Sequence, residues 1–405
     1  MKKDKEIVRR ICWSILLLAI FQIGKSIEIP GFVNVPQREE TQNLVLRFLS
    51  TTTGGNFAKP TILSLGMGPY MTSLIIWTTI SMIDSDRIKN LSVKQRGYIQ
   101  RVLTLVFAIA QGTAVMFRFR TLGNYDAFST ISRTTFYMMV ILILATGAMF
   151  ISWLSDINSE KGIGAQSLFI LPSLISNLPA MLVSGQSGTL KIGSEHIIGL
   201  IVITLIYLYI TVFLYHSEYR IYIQRTGIDS RFNNSYIPIR LLTAGAMPFM
   251  FAVTVFSIPQ LLLLNDAWSN TFFSNILAKF FSFNSVEGIL TYGLILYGLG
   301  MGFSYINVRP NDIAKHLKES GDYIYEIPPG QKTETYIKEK LLRIAMVGNS
   351  YLVLVSLIPL FIGLRVEIIS NLAFYFGSVF MLIIILDTIT QEMRFIFSKR
   401  DYNIF

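Results

Sequence analysis

Charge is scarce in this chain, and that scarcity sets the first limits. Only 15% of its 405 residues are Asp, Glu, Lys or Arg, against 52% hydrophobic. A soluble protein of this size needs more charge than that to cover its surface. There is one cysteine, Cys12, so no disulfide and no thiolate metal site forms within the chain. The three histidines, His196, His216 and His316, stand at no metal-ligand spacing from one another, and no metal is expected. No Gly-rich loop ends in Lys-Ser or Lys-Thr, and Gly162-Ile163-Gly164 lacks the preceding strand that a dinucleotide site needs, so no cofactor is expected either. An intramembrane enzyme would need a nucleophile with a base beside it, and no such pair stands out. Carboxylates within apolar stretches are almost absent; Asp387 lies near the inner end of the last one.

Long apolar runs take the place of charge. Crossing a bilayer takes about 20 apolar residues. Ten runs of that order lie near 11–29, 66–83, 101–117, 135–153, 165–183, 196–215, 242–264, 286–307, 344–364 and 369–389. The fold expected is an all-α integral membrane protein of ten spanning helices. The basic start, Met1 to Arg10, precedes a run too long for a cleaved leader, so a retained first helix is expected. With the N-terminus cytoplasmic, 25 of the 35 Lys and Arg residues fall on cytoplasmic segments. That bias satisfies the positive-inside rule with both termini cytoplasmic. The net charge of +10 is thus largely topological and does not call for nucleic acid; what remains suits a docking face for an acidic partner.

Glycine and proline mark two matching places. Gly66-Met67-Gly68-Pro69-Tyr70-Met71 opens the second run, and Gly245-Ala246-Met247-Pro248-Phe249-Met250 opens the seventh. Paired Gly/Pro interruptions in two halves of a membrane protein point to its transport path. Five runs precede the Gly/Ser-rich connection 184–195 and five follow it. An odd number per half inverts one half against the other, so residues 1–183 and 196–405 are expected to form an inverted pair about a hinge at 184–195. The outer segment that ends in Ser50 to Ser64 is too short and polar to span, yet its last part is apolar enough to enter the membrane and runs straight into Gly66. Irregular backbone at membrane depth must line or fill a cavity, so a half-helix filling one is expected. Two cytoplasmic excursions, 216–240 and 308–343, exceed simple turns. In the second, Asn311 to Glu319 reads as helix, Tyr323 to Ile327 as a short strand and Pro328-Pro329-Gly330 as a turn.

Met67, Met71 and Ile75 recur at helical spacing on the second run, and Met250 answers from the seventh. Such a stripe is ordinarily core packing; its presence on both interrupted helices favours an adaptable apolar seal. The residues by themselves leave a polypeptide-conducting channel and a ten-helix secondary transporter of a small solute both open. The absence of midplane carboxylates weighs against ion coupling.

Along nearly its whole length, in collinear order, the sequence resembles the SecY family, the membrane channel of the general protein-secretion pathway. The residues that carry this are Arg9-Arg10 through Ile29-Pro30-Gly31, Thr53-Gly54-Gly55 through Pro69-Tyr70, Trp153-Leu154 through Lys161-Gly162-Ile163-Gly164, Ala244 to Pro248, Asn307 to Gly330, Leu341 to Tyr351 and Phe374-Tyr375-Phe376-Gly377. The resemblance implies a clamshell of two halves around a passive, protein-conducting pore in the bacterial cytoplasmic membrane. It implies a pore ring of Met67, Met71, Ile75, Ile170, Met250 and Ile383, and a plug at about 49–64 that includes Thr53, Gly54, Gly55, Asn56 and Phe57. A lateral gate would involve Thr72, Gln111 and Leu242, with Leu242 where the family has asparagine. Loops with Arg220, Arg225, Arg231, Lys315 and Lys318 would meet a SecA-type motor ATPase, which supplies the energy. SecE-like and SecG-like small subunits, secretory precursor polypeptides and membrane lipid would be the other partners. The family's Ile-Arg-Pro-Gly turn reads Ile327-Pro328-Pro329-Gly330 here, so Pro328 removes a cation used in coupling. With the methionine-rich ring and the short chain, these departures resemble the SecY of the accessory Sec system of Gram-positive bacteria, which exports serine-rich glycosylated adhesins.

Overall fold

Inside a bilayer each backbone N–H and C=O must be satisfied by the chain itself, and an apolar run does this most simply as a helix. The computed structural model describes residues 4–30, 44–57, 60–81, 91–122, 132–185, 188–189, 194–225, 235–263, 272–365 and 367–398, and helix dominates them. In chain order the helices are α1 (Asp4–Ser26), α2 (Leu44–Thr53), α3 (Gly68–Ser81), α4 (Val93–Leu122), α5 (Arg133–Lys161), α6 (Leu171–Val183), α7 (Ser194–His216), α8 (Met247–Leu263), α9 (Phe272–Phe280), α10 (Val286–Val308), α11 (Pro310–Ser320), α12 (Gln331–Gly363) and α13 (Glu367–Ser398). A five-residue 3₁₀ turn, Ala165–Phe169, leads into α6. Among the described residues, seven helical stretches are long and apolar enough to cross a membrane: α1, α4, α5, α7, α10 running on into α11, α12 and α13. The shorter apolar helices α3, α6 and α8 occupy the places of the second, fifth and seventh predicted runs. Those are the runs that glycine or proline interrupts, and the arrangement is consistent with ten spans.

The two interrupted runs are built alike. Gly66 (φ +55°) and Gly245 (φ +65°) both take the left-handed backbone, which costs a residue with a Cβ but not glycine. Each closes a turn, Gly66 N–H donating to Leu63 O (3.0 Å) and Gly245 N–H to Leu242 O (3.1 Å). Helix α3 therefore starts at Gly68 and α8 at Met247, a few residues inside the predicted starts at 66 and 242. The same turns are also buttressed alike. A Cβ on Gly147 of α5 would lie 2.1 Å from Ile62 O, and one on Gly348 of α12 would lie 2.1 Å from Leu241 O. Each of these carbonyls stands four residues before its left-handed glycine.

Packing follows the same division. Helix α1 lies on α5 and the 3₁₀ turn, and α3, α4 and α5 pack on one another. Beyond the connection, α10 packs on α8 and α12, α12 on α13, and α13 on α7. The two groups meet where α13 lies on α6 and where α4 touches α8. Between them sits α2, against α6, α8 and α13.

Strands are the main addition to the all-α expectation. β1 (Ser184–Gly185) pairs with β2 (Gly188–Thr189) in the connection, and β3 (Glu218–Tyr222) pairs antiparallel with β4 (Tyr236–Arg240). Ile221 and Ile223 alternate with Arg220, Tyr222 and Gln224, and Ile237 and Ile239 with Tyr236, Pro238 and Arg240, which gives the second hairpin one isoleucine face. That face joins Leu317 of α11, Ile324, and Ile337 and Leu341 of α12 in a core separate from the membrane one. Thus the two excursions at 216–240 and 308–343 form one body. Tyr323 to Ile327 is not a strand: Tyr323 exchanges two backbone bonds with Gln224, and Ile324 folds back on Ile327 through Glu326 at φ +61°.

Candidate functional site: plug, apolar ring and gate

The segment leading into α3 explains itself residue by residue. The end of α2 is Leu49-Ser50-Thr51-Thr52-Thr53, with Leu49 and all three threonines buried. Thr52 and Thr53 turn their hydroxyls back on Leu49 O (3.0 and 2.8 Å), which satisfies them without a partner from outside. Gly54 then reverses the chain at φ +73°; a Cβ there would lie 2.9 Å from Phe169 O. Ser50 Oγ donates to Gly55 O (2.7 Å), Asn56 N–H to Ser64 O (2.9 Å), and Met67 N–H to Thr53 O (2.7 Å). The end of α2 is thereby sewn to the start of α3. Of the sequence-predicted plug residues, Thr53, Gly54, Gly55 and Phe57 are buried and Asn56 is half-buried. The helix begins at Leu44, earlier than the predicted 49, and residues 58 and 59 lie outside the described residues.

The six candidate ring residues come from four parts of the chain. Met67 lies in the turn before α3, Met71 and Ile75 in α3, Ile170 between the 3₁₀ turn and α6, Met250 in α8 and Ile383 in α13. Met67, Met71, Ile170 and Met250 are buried; Ile75 and Ile383 are partly buried against the same apolar core, which also contains Leu49 and Phe57. No charge enters that group. Thr72 and Gln111 adjoin each other across α3 and α4, the Gln111 Nε2 donating to Thr72 Oγ1 at 3.5 Å. Leu242 is buried in the turn before α8 rather than within a helix, with its Cδ2 beside Gly348 of α12. A bond that the sequence reading missed, Ser73 Oγ to Thr104 Oγ1 (2.7 Å, buried), also ties α3 to α4.

The family model described as SecY matches residues 61–391. The chain belongs to the SecY family. Among curated proteins it is 29% identical over 413 residues to the accessory Sec system protein translocase subunit SecY2 of Leuconostoc gelidum subsp. gasicomitatum, covering 98% of this chain and 96% of that protein. Among solved structures, one described as the structure of a protein conducting channel superposes with a TM-score of 0.66 at 17% identity, over 96% of this chain and 92% of the other. A second, from work on the plug domain of the SecY protein and its membrane seal, gives 0.61 at 18% identity with the same coverage. At these identities the structures speak for the fold: the clamshell of SecY-family channels.

With the SecY-family fold in place, the remaining candidates can be located. Arg220 is exposed, bound to Glu218 (2.7 Å) and stacked on Tyr236 (4.7 Å to the ring centre). The Glu218 hydrogen bond comes first among the causes that raise its proton affinity above the ordinary arginine value. Arg225 and Lys318 are exposed, Lys315 lies 3.9 Å from Glu319, and Arg231 lies outside the described residues. Arg240 bonds Tyr215 OH (3.3 Å) and Gln391 Oε1 (3.2 Å), which ties the hairpin to α7 and α13. His216 Nε2 stands 3.5 Å from Asp387 Oδ1, so Asp387 is not simply solvated. Among the described residues no cluster of His, Cys, Asp or Glu is fit to hold a metal.

The Glu160-to-Gly164 turn is held from α1, α5 and α13. Buried Asn158 donates to Ile163 O (3.1 Å) and Ala165 O (2.6 Å) and accepts from Ser14 of α1 (3.0 Å). Gly164 N–H donates to Glu392 Oε2 of α13 (2.7 Å), across the two helix groups. Sequence reading missed Asn158, Glu392 and Lys25. For Lys25 there was a signal, a lone cation inside the first apolar run; for Glu392 there was none, since its partner is a backbone amide far away in sequence.

Proposed function

We propose that this chain is the central channel subunit of a protein-export translocase, passively conducting unfolded polypeptides across the bacterial cytoplasmic membrane. The observation that carries the reading is α2. It is a short half-helix with no charge in its last turn, held between α6, α8 and α13, at the junction of the two helix groups, and sewn to α3. A secondary transporter has no need of a removable apolar stopper there. An apolar constriction resists ions by dewetting, and methionine side chains adapt to varied cargo, as a seal around a moving polypeptide must.

The pathway proposed is the accessory one, with serine-rich glycoproteins as cargo and a SecA-type ATPase as motor. The family relative of that name supports this, as do the methionines at 67, 71 and 250. Both termini are cytoplasmic in this reading, which places the body around β3, β4 and α11 where a motor docks. SecE-like and SecG-like subunits would cover apolar surface the chain leaves bare, above all on α7, the least covered of the described spans. A precursor stalled during export should crosslink to photoreactive groups placed at Met71 and Met250. Crosslinks to neither, with efficient crosslinking elsewhere in the chain, would overturn the channel reading.

A further inference from the structure

Lys25 lies in the last turn of α1 and is half-buried. Ser14 of the same helix is hydrogen-bonded to Asn158 and Ile163 at the proposed cytoplasmic boundary. Eleven residues further on, Lys25 stands about 16 Å above that level at 1.5 Å per residue. The first apolar run spans 11–29, so Lys25 sits inside the hydrocarbon layer, four residues from the run's outer end. A cation at such a depth is costly and usually serves a function. No carboxylate lies within ion-pair distance of it among the described residues. Its hydrogen bond goes to the buried Ser173 of α6 (Nζ to Oγ, 2.7 Å). Ser173 in turn donates to Gly54 O (3.2 Å), the carbonyl just past the end of α2. One helical turn along α6, Asn177 Nδ2 donates to Thr51 Oγ1 of α2 (2.9 Å). Residues at i and i+4 share a helix face, so α6 offers α2 two polar contacts on one side. An otherwise apolar wall grips the half-helix at two points, and one is backed by a positive charge.

We propose that Lys25, Ser173 and Asn177 are positioning residues that hold the plug seated and so keep the idle channel closed. The inference rests on the reading of α2 and residues 54–57 as a plug. Charge-assisted hydrogen bonds in a low-dielectric site are stronger than neutral ones, and Lys25 polarises the Ser173 hydroxyl toward Gly54. The bonds are few, so a polypeptide entering between α6 and α8 breaks them without disturbing the packing of the spans.

The test is basal ion conductance of the full-length chain, carrying Cys12→Ser, in planar bilayers. Lys25→Met and Asn177→Leu should each raise conductance several-fold, toward that of a chain lacking residues 51–57. Lys25→Arg, which keeps an N–H donor and the charge, should stay tight. If Lys25→Met and Asn177→Leu seal as well as the parent while the deletion leaks, the latch is overturned and the plug stands. If the deletion also stays tight, plug and latch fall together. Leak from Lys25→Arg as large as from Lys25→Met would refute the donor role. A second measurement does not depend on how the Lys25 variants fold. Thr51→Cys with Asn177→Cys should form a disulfide in the idle channel on oxidation and block export until reduced. No disulfide would overturn the contact.

Discussion

At the scale of single residues, two glycines far apart in sequence carry the same burden. Gly147 and Gly348 each let a helix lie against the carbonyl that precedes a left-handed turn. Alanine at either position forces the helix away from that turn, and overpacking of this kind costs about 1–3 kcal/mol. Both Gly147→Ala and Gly348→Ala should therefore lower the thermal unfolding midpoint in detergent, by similar amounts. A large shift in one with none in the other would show that the two turns are not equivalent. Asn158 makes a separate case. Its amide joins α1, α5 and the 3₁₀ turn, and Asn158→Ala takes the side-chain donor from Ala165 O and leaves Ser14 and Ile163 O only each other. Each group left unsatisfied costs about 1–3 kcal/mol, so this variant should accumulate to lower levels in membranes than Gly147→Ala, as an immunoblot would show.

Elements were legible in the sequence to the degree that lipid dictates them. Uninterrupted apolar runs such as 135–153 and 196–215 lie within α5 and α7, because hydrocarbon leaves such a run no other structure. Starts were less legible. The turns at Gly66 and Gly245 take up residues that composition alone assigns to helix, since hydropathy does not register a positive φ. The β3–β4 hairpin was missed because its alternation spans only five residues on each side, with Pro238 in one strand. The passage of the chain from residues 49–57 into Gly66 was legible, but the bonds from α6 to Gly54 and Thr51 were not, because Ser173 and Asn177 resemble ordinary polar residues in a span. Removal of residues 51–57 should raise ion conductance in bilayers. Met71→Gly with Met250→Gly should do so as well, by leaving a gap that wets. Conductance unchanged in the methionine double variant would remove those side chains from the seal.

For the whole molecule, the proposed docking face is the body built from both excursions, not either loop alone. Its cations are not equal. Arg220 is already engaged by Glu218 and Tyr236, whereas Arg225 is exposed at the end of the hairpin. Arg225→Glu should thus weaken binding of a SecA-type motor more than Arg220→Glu does, with the difference largest at low salt. Equal loss for both, measured by flotation of motor with vesicles, would mean that the internal pair has no bearing on docking. Pro328 puts no cation at the tip next to Glu326, which leaves the exposed tyrosines Tyr323 and Tyr325 as the prominent side chains there. At the same boundary, Glu392 fastens α13 to the Gly164 amide across the two helix groups, a contact that any parting of the groups on that side has to stretch.

The bond from Met67 N–H to Thr53 O has a kinetic side as well. In the proposed channel the stopper is moored to the rim by residues 54–66, a leash that extends to no more than roughly 45 Å even when pulled straight. A tethered piece returns to its berth as a unimolecular event, at an effective concentration in the millimolar range. Resealing after a polypeptide has passed should therefore be independent of how many channels the membrane holds, and swift enough to spare the ion gradients across it.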